Sequence, residues 1–163
     1  MSTLRTVLLL AATLAMGLAA GVFALYAHTI MPGLETTDDR TFVAAFQALD
    51  RAIINPWFTA GTFFGALVLT AASVATNMGR PALGWVIAAL VLYVVVVVIT
   101  LAVNVPRGDA IKAAGDPDTI DVAHVRDDFH EARWAAWNLV RVAASLAAFA
   151  SLAWALVLDK QGA

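Results

Sequence analysis

Cysteine is absent from the sequence, and charged residues are scarce. The lack of cysteine excludes disulfides, thiolate metal sites and cysteine nucleophiles. Asp, Glu, Lys and Arg make up 13% of the 163 residues, about half of the ~25% typical of soluble domains. A net charge of −2 supplies no basic field for nucleic acid. By contrast, 61% of the residues are hydrophobic, which is more apolar surface than a soluble fold of this length can bury. The composition therefore predicts an integral membrane protein whose main partner is the lipid bilayer.

Four apolar segments reach the ~20 residues that a membrane-spanning helix requires: residues 7–27, 57–76, 83–103 and 134–158. Arg141 is the only charged residue within them. Arg5 before the first segment fits a signal peptide, but the apolar run continues to Ala27, which favours a retained helix. Because backbone groups in lipid must be satisfied internally, the sequence predicts an all-α bundle of four transmembrane helices. Residues 1–163 form a single membrane domain in this interpretation.

The first long connection, residues 28–56, contains a helical pattern. Apolar side chains recur at helical spacing from Asp39 to Ile53, while polar side chains fall mainly on the opposite face. Thr37 or Asp38 can cap its start. This pattern predicts an amphipathic interfacial helix that lies on the bilayer or caps the bundle.

The second long connection, residues 104–133, is predicted to be partly helical. It begins with a turn at 107–109 and turns again at 115–118, where Gly and Pro cluster. A polar helix is expected to run from about Thr119 into the fourth span. With four spans, both long connections lie on one side of the membrane, and only the short turn 77–81 joins spans two and three.

The orientation of the spans rests on two opposing signals. The long connections carry six Lys and Arg residues and the other side carries three, which alone would place the long connections in the cytoplasm. However, eleven of the twelve acidic residues lie in those same connections, and Arg5 precedes a first helix that often dominates orientation. We therefore expect both termini in the cytoplasm of a bacterial plasma membrane. The oligomeric state is left open.

Small residues predict close packing of the helices. Gly17 and Gly21 in the first span, and Gly61 and Gly65 in the second, have the small-xxx-small spacing that lets helices approach.

Folding the four spans antiparallel brings most of their polar side chains to the rim beneath the long connections. The residues that converge there are His28, Asn55, Asn104, Trp134, Trp137, Asn138 and Arg141. A cleft at one end of a bundle, covered by amphipathic segments, is a suitable site for a small molecule.

Arg141 is the strongest single signal, because a charge in hydrocarbon costs at least ~2.5 kcal/mol and is usually paired or functional. It either lines a buried site or extends to the interface beneath an aromatic belt. Structural alternatives exist for the other polar residues as well. Asn55 before Pro56 can cap a helix, and Asn104 before Pro106 can end one.

The histidines allow two interpretations each. His28 is either an interfacial residue or a base that titrates near neutrality. His124 and His130 lie near several acidic residues, and side chains of these types can bind metal ions. Their spacing does not match the His-Glu-x-x-His motif of zinc hydrolases. A solvated, charged helix face explains them better, so no metal site is predicted.

Several motifs in the same order resemble the DUF1772, or anthrone oxygenase-like, family. They are Gly21-Val22-Phe23, Met31-Pro32-Gly33-Leu34, Phe42 through Leu49, Asn55-Pro56, Asn104-Val105-Pro106 with Asp109-Ala110, and Trp134 through Arg141. The resemblance covers almost the whole chain and implies four transmembrane helices. Some members oxidise an anthrone to an anthraquinone with molecular oxygen and no conventional cofactor. One departure is that the family often has Leu-Asn after Asn-x-Pro, whereas this chain has Arg107-Gly108.

The convergence of polar and aromatic side chains at the rim suggests roles for these residues in such a reaction. Oxygenation of this kind needs a base, donors for an oxyanion and an apolar pocket. His28 is then the candidate base, and Asn138 with Arg141 stabilises the anion. Trp134 and Trp137 can stack on a flat substrate. Asn55 and Asn104 complete the predicted substrate-binding set.

Other functional classes compete with an oxygenase. A non-enzymatic membrane protein that binds a hydrophobic ligand or a membrane partner is the main alternative. A proton-coupled transporter is disfavoured because the apolar segments contain no Asp or Glu. A bis-histidine haem site is disfavoured because only His28 lies near the membrane.

Overall fold

A computed structural model describes residues 2–161, and within them four helical stretches are long and apolar enough to cross a membrane. These are Thr3–Glu35, Trp57–Thr76, Leu83–Ala113 and Val122–Lys160. We refer to them as spans one to four. The predicted apolar segments all lie within these helices, and the described residues contain no strand. The all-α bundle is thus confirmed, and the lengths of the four helices support an integral membrane location.

Residues 2–161 form eight α-helices and three π-helical turns, in which the helix widens, and every element except the helix at Asp39–Ile53 belongs to a span. The α-helices are α1 (Ser2–Leu25), α2 (Met31–Glu35), α3 (Asp39–Ile53), α4 (Gly65–Thr76), α5 (Leu83–Ile99), α6 (Val105–Ala113), α7 (Val122–Phe129) and α8 (Glu131–Gln161). The π-helical turns are π1 (Tyr26–Ile30), π2 (Trp57–Phe64) and π3 (Thr100–Asn104).

The four spans pack in a ring in which each helix contacts its two neighbours. The first span lies against the second and fourth, and the third completes the ring between them. Their inward faces form one apolar core, with fully buried Leu9, Met16, Val86, Tyr93 and Leu152 at its centre. The outward faces expose large apolar side chains along every span, as expected for helices that contact lipid.

Only one of the predicted small-residue positions makes a close contact between helices. A Cβ at Gly17 would come within 3.0 Å of the Phe149 ring on α8. Positions Gly21 and Gly61 have open space around them, and the nearest atom to a Cβ at Gly65 is the backbone oxygen of Ala60 in its own helix. Close approach through these four glycines is therefore limited to the contact between spans one and four.

Two prolines sit within continuous helices instead of ending them. Pro106 follows π3 and Pro32 follows π1, each by two residues. In both turns the residue before the proline donates its N–H five residues back, from Val105 to the Thr100 oxygen and from Met31 to the Tyr26 oxygen. The widened turn accommodates a residue that has no N–H to donate. The expectation that helix three ends at Asn104 was wrong for this reason.

The two long connections fold together into a cap over one end of the bundle. Helix α3 begins at Asp38, one of the two predicted N-cap residues, whose side chain accepts the Thr41 amide at 3.0 Å. Its apolar face packs on α6 and α7. The side chains buried there are Met31, Phe42, Val43, Phe46, Ile111, Phe129 and Trp134. The amphipathic helix is confirmed, and it caps the bundle.

The second connection contains less irregular chain than predicted. Residues 107–109 belong to α6 and do not form a turn. The turn at Gly115 is present, with φ of 112°. The helix expected from Thr119 into span four is interrupted at His130, whose φ of 53° separates α7 from α8.

A buried ion pair closes the opposite end of the bundle. Arg5 of α1 donates to the carboxylate of Asp159 of α8, and Thr6 donates to the same carboxylate at 2.7 Å. Both partners of the ion pair are less than a tenth exposed. This contact ties the first turn of α1 to the last turn of α8.

Candidate functional site

A cavity of about 240 Å³ lies between the cap and the bundle. Side chains from α1, α3, α6 and α8 line it, together with side chains from all three π-helical turns. Most of its surface is apolar, with Phe23 and Phe63 on the bundle side. Three spans therefore widen at the level where the cavity forms, and π-helical turns of this kind are frequent at functional sites.

Arg141 is the buried cation of this cavity. It is 5% exposed, and its guanidinium carbon lies 4.6 Å from the Phe23 ring centre and 5.5 Å from the Trp134 ring centre. Among the described residues, no carboxylate lies within ion-pair distance of it. The alternative in which Arg141 extends to the interface does not describe this geometry, because the charge stays buried against two rings.

Asn138 holds Arg141 in place. Its Oδ1 accepts Arg141 Nη2 at 2.8 Å, while its Nδ2 donates to the Phe23 carbonyl oxygen at 3.0 Å. Arg141 Nη1 also donates to Thr100 Oγ1 at 3.3 Å. Asn138 is fully buried and is not part of the cavity wall. It therefore positions the guanidinium from behind.

Two buried polar atoms of the cavity wall have no hydrogen-bond partner. They are Nε of Arg141, a donor, and Oδ1 of Asn104, an acceptor. Asn104 is 4% exposed, and its Nδ2 donates weakly to the Trp134 carbonyl oxygen at 3.4 Å. An unpaired buried polar group costs about 1–3 kcal/mol. A ligand that both accepts from Arg141 and donates to Asn104 would remove both costs.

Trp134 forms the roof of the cavity. Its ring contacts Tyr26 at 5.8 Å, Phe46 at 5.6 Å and Phe129 at 6.2 Å between ring centres. These rings come from span one, α3 and α7, so Trp134 links the cap to the site. A rigid aromatic roof above an arginine suits a flat aromatic ligand.

An ion cluster borders the cavity on the side of the cap. Lys112 of α6 lies 2.7 Å from Asp50 Oδ2 of α3 and 3.0 Å from Asp109 Oδ1. All three side chains line the cavity. Asp50 also packs on Gly108, where a Cβ would come within 2.8 Å of its Oδ2. The carboxylate of Asp50 thus fills the space beside Gly108 that a larger side chain would occupy.

Four of the predicted site residues lie outside the cavity wall: Asn138, which supports Arg141 from behind, and His28, Asn55 and Trp137. His28 is exposed, with Nδ1 2.6 Å from Thr29 Oγ1. Asn55 uses its side chain to cap span two, with Oδ1 accepting the Phe58 amide at 2.9 Å. Trp137 is 36% exposed and does not line the cavity. The cavity brings Asn104, Trp134 and Arg141 together, and their roles remain predictions.

The remaining histidines lie on the surface of the cap. His124 Nε2 is 3.3 Å from Asp128 Oδ2, and both side chains are about two-thirds exposed. No group of three or more His, Cys, Asp or Glu within residues 2–161 is placed to hold a metal ion. This arrangement matches a solvated, charged helix face.

Sequence reasoning missed Asp50 and Lys112. Asp50 belongs to the predicted amphipathic helix, whose polar side chains were assigned to the side away from the apolar face, and Lys112 lies in a connection that was predicted only to be partly helical. Their approach depends on α6 continuing span three above the membrane and packing on α3. The i, i+3 spacing of Asp109 and Lys112 was the one available sequence signal.

Comparisons with known proteins give one match. The family model described as anthrone oxygenase matches residues 51–151. No curated protein and no solved structure matches the chain. The match begins at the end of α3 and includes π2, π3, α6, the roof Trp134 and the cation Arg141. Because it covers more than half of the sequence, the chain belongs to the anthrone oxygenase family.

Proposed function

We propose that the cavity binds a flat, lipophilic aromatic ketone of the anthrone type and promotes its oxidation by molecular oxygen to the quinone. The observation that carries this proposal is the buried charge of Arg141, which has no carboxylate partner among the described residues and has an unpaired Nε. A bound enolate would supply the missing negative charge. Family membership supports the same chemistry.

Arg141 is assigned to the oxygen on which negative charge develops. Removing a proton from the carbon opposite the anthrone carbonyl places negative charge on that carbonyl oxygen. A preorganised donor in an apolar site stabilises such a charge more than water does. Asn138 fixes the guanidinium through the 2.8 Å bond from Nη2, so the donor is in place before the proton moves.

We assign proton removal to Asp50. The sequence pointed to His28, but its exposed ring does not line the cavity. Asp50 is a carboxylate in the cavity wall, held by Lys112 at 2.7 Å and by contact with Gly108. A general base must come within hydrogen-bond reach of the proton it accepts. Because Asp50 lines the cavity, a bound ligand can come within that reach of its carboxylate.

The reaction balances without a further oxidant. A C–H bond breaks and its proton passes to Asp50, which leaves a carbanion. The carbanion gives one electron to O2, and the radical pair combines to form the C–O bond of a peroxide anion, which takes the proton back from Asp50 and becomes a hydroperoxide. Loss of water from the resulting hydroperoxide breaks the O–O bond and a second C–H bond and creates the new carbonyl. One anthrone and one O2 become one quinone and one water.

Oxygen consumption tests this function. The protein in lipid nanodiscs is supplied with a panel of anthrones and hydroquinones, and O2 uptake and quinone absorbance are recorded together. We expect one O2 per quinone formed with an anthrone. Arg141→Met should reduce the rate at least ~100-fold, as for loss of an oxyanion donor. Replacing a buried charge with an apolar side chain of similar length should leave the fold intact.

A matched control is Arg133→Met, because Arg133 lies near the start of α8 and is exposed. Its activity should equal that of the unmodified protein. If no member of the panel causes protein-dependent O2 uptake, the oxygenase proposal fails and a ligand-binding role becomes the better account of the cavity.

The orientation of the chain is a separate proposal, in which both termini are cytoplasmic and the cap lies on the opposite side. The cysteine-free sequence allows a direct test. Single cysteines at exposed Asp118 in the cap and exposed Met78 in the short turn would be labelled in intact cells with a membrane-impermeant maleimide. We expect Asp118→Cys to react and Met78→Cys to react only after lysis. The reverse pattern would invert the orientation.

A further inference from the structure

The cavity wall is incomplete between spans two and three. In the part of the bundle farther from the cap, α4 of span two packs directly on α5 of span three. At the level of the cavity, π2 and π3 scarcely touch within the described part of the chain. The ring of helices therefore has a gap on one side, next to Arg141 and Trp134.

Apolar side chains surround this gap and face outward while also lining the cavity. Phe64 of π2 is 39% exposed, Leu101 of π3 is 52% exposed and Val105 of α6 is 37% exposed. Leu101 and Val105 are four residues apart and share one face of span three. Ile54, at the end of α3, is 59% exposed and completes the upper edge.

The gap lies at a depth occupied by lipid. Phe64 is seven residues below Trp57, which begins span two, and this separation corresponds to roughly 10 Å along a helix. Leu101 belongs to the apolar segment 83–103 of span three. Phe64 and Leu101 therefore lie at a depth where they meet acyl chains, and Ile54 and Val105 lie just beyond the ends of the predicted apolar segments.

The other sides of the cavity are covered. Phe23 and Phe63 pack edge to face below it, with ring centres 6.4 Å apart. Trp134 and its ring contacts lie above it. The ion cluster of Lys112 and Asp50 lies on the side of the cap. Apolar access is consequently concentrated at the gap.

We propose that the gap between π2 and π3 is a lateral portal through which the ligand enters the cavity from the hydrocarbon of the bilayer. This inference rests on the proposed function for the identity of the ligand. It specifies a substrate that partitions into lipid and moves sideways to Arg141, so that the membrane concentration of the ligand sets the rate of binding and its aqueous concentration does not.

The test follows ligand binding without any oxidation. The probe is 1,8-dihydroxyanthraquinone, a flat hydroxyketone of the product class, and binding is followed by quenching of tryptophan fluorescence, to which the roof Trp134 contributes. Stopped-flow association in vesicles is compared for this probe and an alkylated analogue that partitions more strongly into lipid, both at the same free aqueous concentration. With lateral access, the association rate rises with the mole fraction of probe in the bilayer, so the analogue associates faster. Equal association rates for the two probes, set by their equal aqueous concentration, would overturn the portal.

Plugging variants provide a second measurement. Leu101→Trp and Val105→Trp add bulk at the rim, where both side chains already face outward, so the fold should persist. We expect association and dissociation to slow at least tenfold, with Kd changed less than threefold. Val98→Trp is the matched control, because Val98 is exposed on the same span and does not line the cavity. Equal rates in all three variants would contradict the portal.

The two proposals fail in different ways. Saturable binding whose rate follows bilayer mole fraction, without O2 uptake from any anthrone, supports the portal and overturns the oxygenase. O2 uptake together with association rates set by the aqueous concentration of the probe supports the oxygenase and overturns the portal. No saturable quenching in the unmodified protein overturns the portal, because the route requires a cavity that accepts this ligand.

Discussion

Arg141 Nη2 donates to Asn138 Oδ1 across 2.8 Å, one helical turn away on α8. Asn138 in turn donates to the Phe23 carbonyl oxygen on the neighbouring span. The side-chain amide therefore supports a buried cation without neutralising it. This leaves the positive charge available to a ligand.

Replacing Asn138 with Asp should neutralise that charge. The new carboxylate lies beside Arg141 and pairs with it, so affinity for an anionic ligand is expected to fall at least ~30-fold, about 2 kcal/mol. Affinity for a neutral aromatic ketone of the same shape should change less than threefold. Titrations with a matched acidic and neutral pair measure this. Equal losses for both ligands would show that the variant disturbs the shape of the cavity and not its charge.

The assignment of Asp50 as proton acceptor predicts a separation of binding from turnover. In Asp50→Asn, quinone formation should fall at least ~100-fold, in line with the 10²–10⁴-fold contribution of general bases, while ligand affinity is retained. His28→Ala is the comparison, and we expect its rate to stay within twofold because the ring lies outside the cavity. A large loss in His28→Ala with a normal rate in Asp50→Asn would return the role of base to His28.

Arg126 is expected to stabilise the cap far more than its exposed counterpart Arg40. Arg126 is mostly buried over the Phe42 ring and bonds to Asp39, Glu131 and the Thr37 carbonyl oxygen. Arg126→Leu should destabilise the cap by about 2–3 kcal/mol, since bonds to charged groups contribute about that much. Hydrogen–deuterium exchange in α7 should accelerate accordingly while the spans stay protected.

The control for that comparison is Arg40→Leu. Arg40 pairs with Asp118 at the surface, where water and salt screen the interaction. No change in α7 exchange is expected. Similar acceleration in both variants would mean that the cap does not depend on the buried contacts of Arg126.

Acid should loosen the start of α3 through Asp38. The Thr41 backbone amide and then its hydroxyl donate to this carboxylate and hold its pKa below the usual value of about 3.9. A lowered folded pKa means that the stabilisation is present above the ordinary pKa and is lost as the pH falls through the folded value. Exchange protection at residues 39–42 should therefore be constant from pH 7 to about 5 and decrease below about 4.

Asp38→Asn separates the charge from the cap. Asn is an equally good N-cap residue and does not ionise, so protection in this variant should not depend on pH over the same range. An identical acid response in the two proteins would place the titrating group elsewhere.

Much of the fold follows from simple rules that act locally. The apolar segments match the four spans because lipid leaves helices as the available structure. Asp38 and Asn55 cap the helices that their spacing predicted. These features depend on composition and on neighbours a few residues away, which a sequence displays directly.

The site was harder to predict because depth along a helix does not give rotation about its axis. His28 and Trp137 lie at the expected rim, yet their side chains are exposed, outside the cavity wall. Arg141 and Trp134 lie seven residues apart on one helical face, and both line the cavity. Asp50 lines the cavity because α6 packs on α3. This contact joins distant segments of the chain, and local sequence patterns do not show such contacts.

The prolines show a second limit. The rule that proline ends a helix assumes hydrogen bonds to the residue four positions back. Applied to Pro106, this rule predicted that helix three ends at Asn104. The structure widens the preceding turn at π3 and continues to Ala113. The same solution recurs at π1, and it is these widened turns that help open the cavity.

The central claim is that Arg141 stabilises an anionic form of the ligand inside the cavity. The most direct measurement is the absorbance spectrum of anthrone bound to the protein without oxygen. We expect the enolate band in the unmodified protein, no enolate band in Arg141→Met, and conversion to the quinone when O2 is admitted. Bound anthrone that keeps its neutral spectrum, or an enolate band that persists in Arg141→Met, would contradict the account.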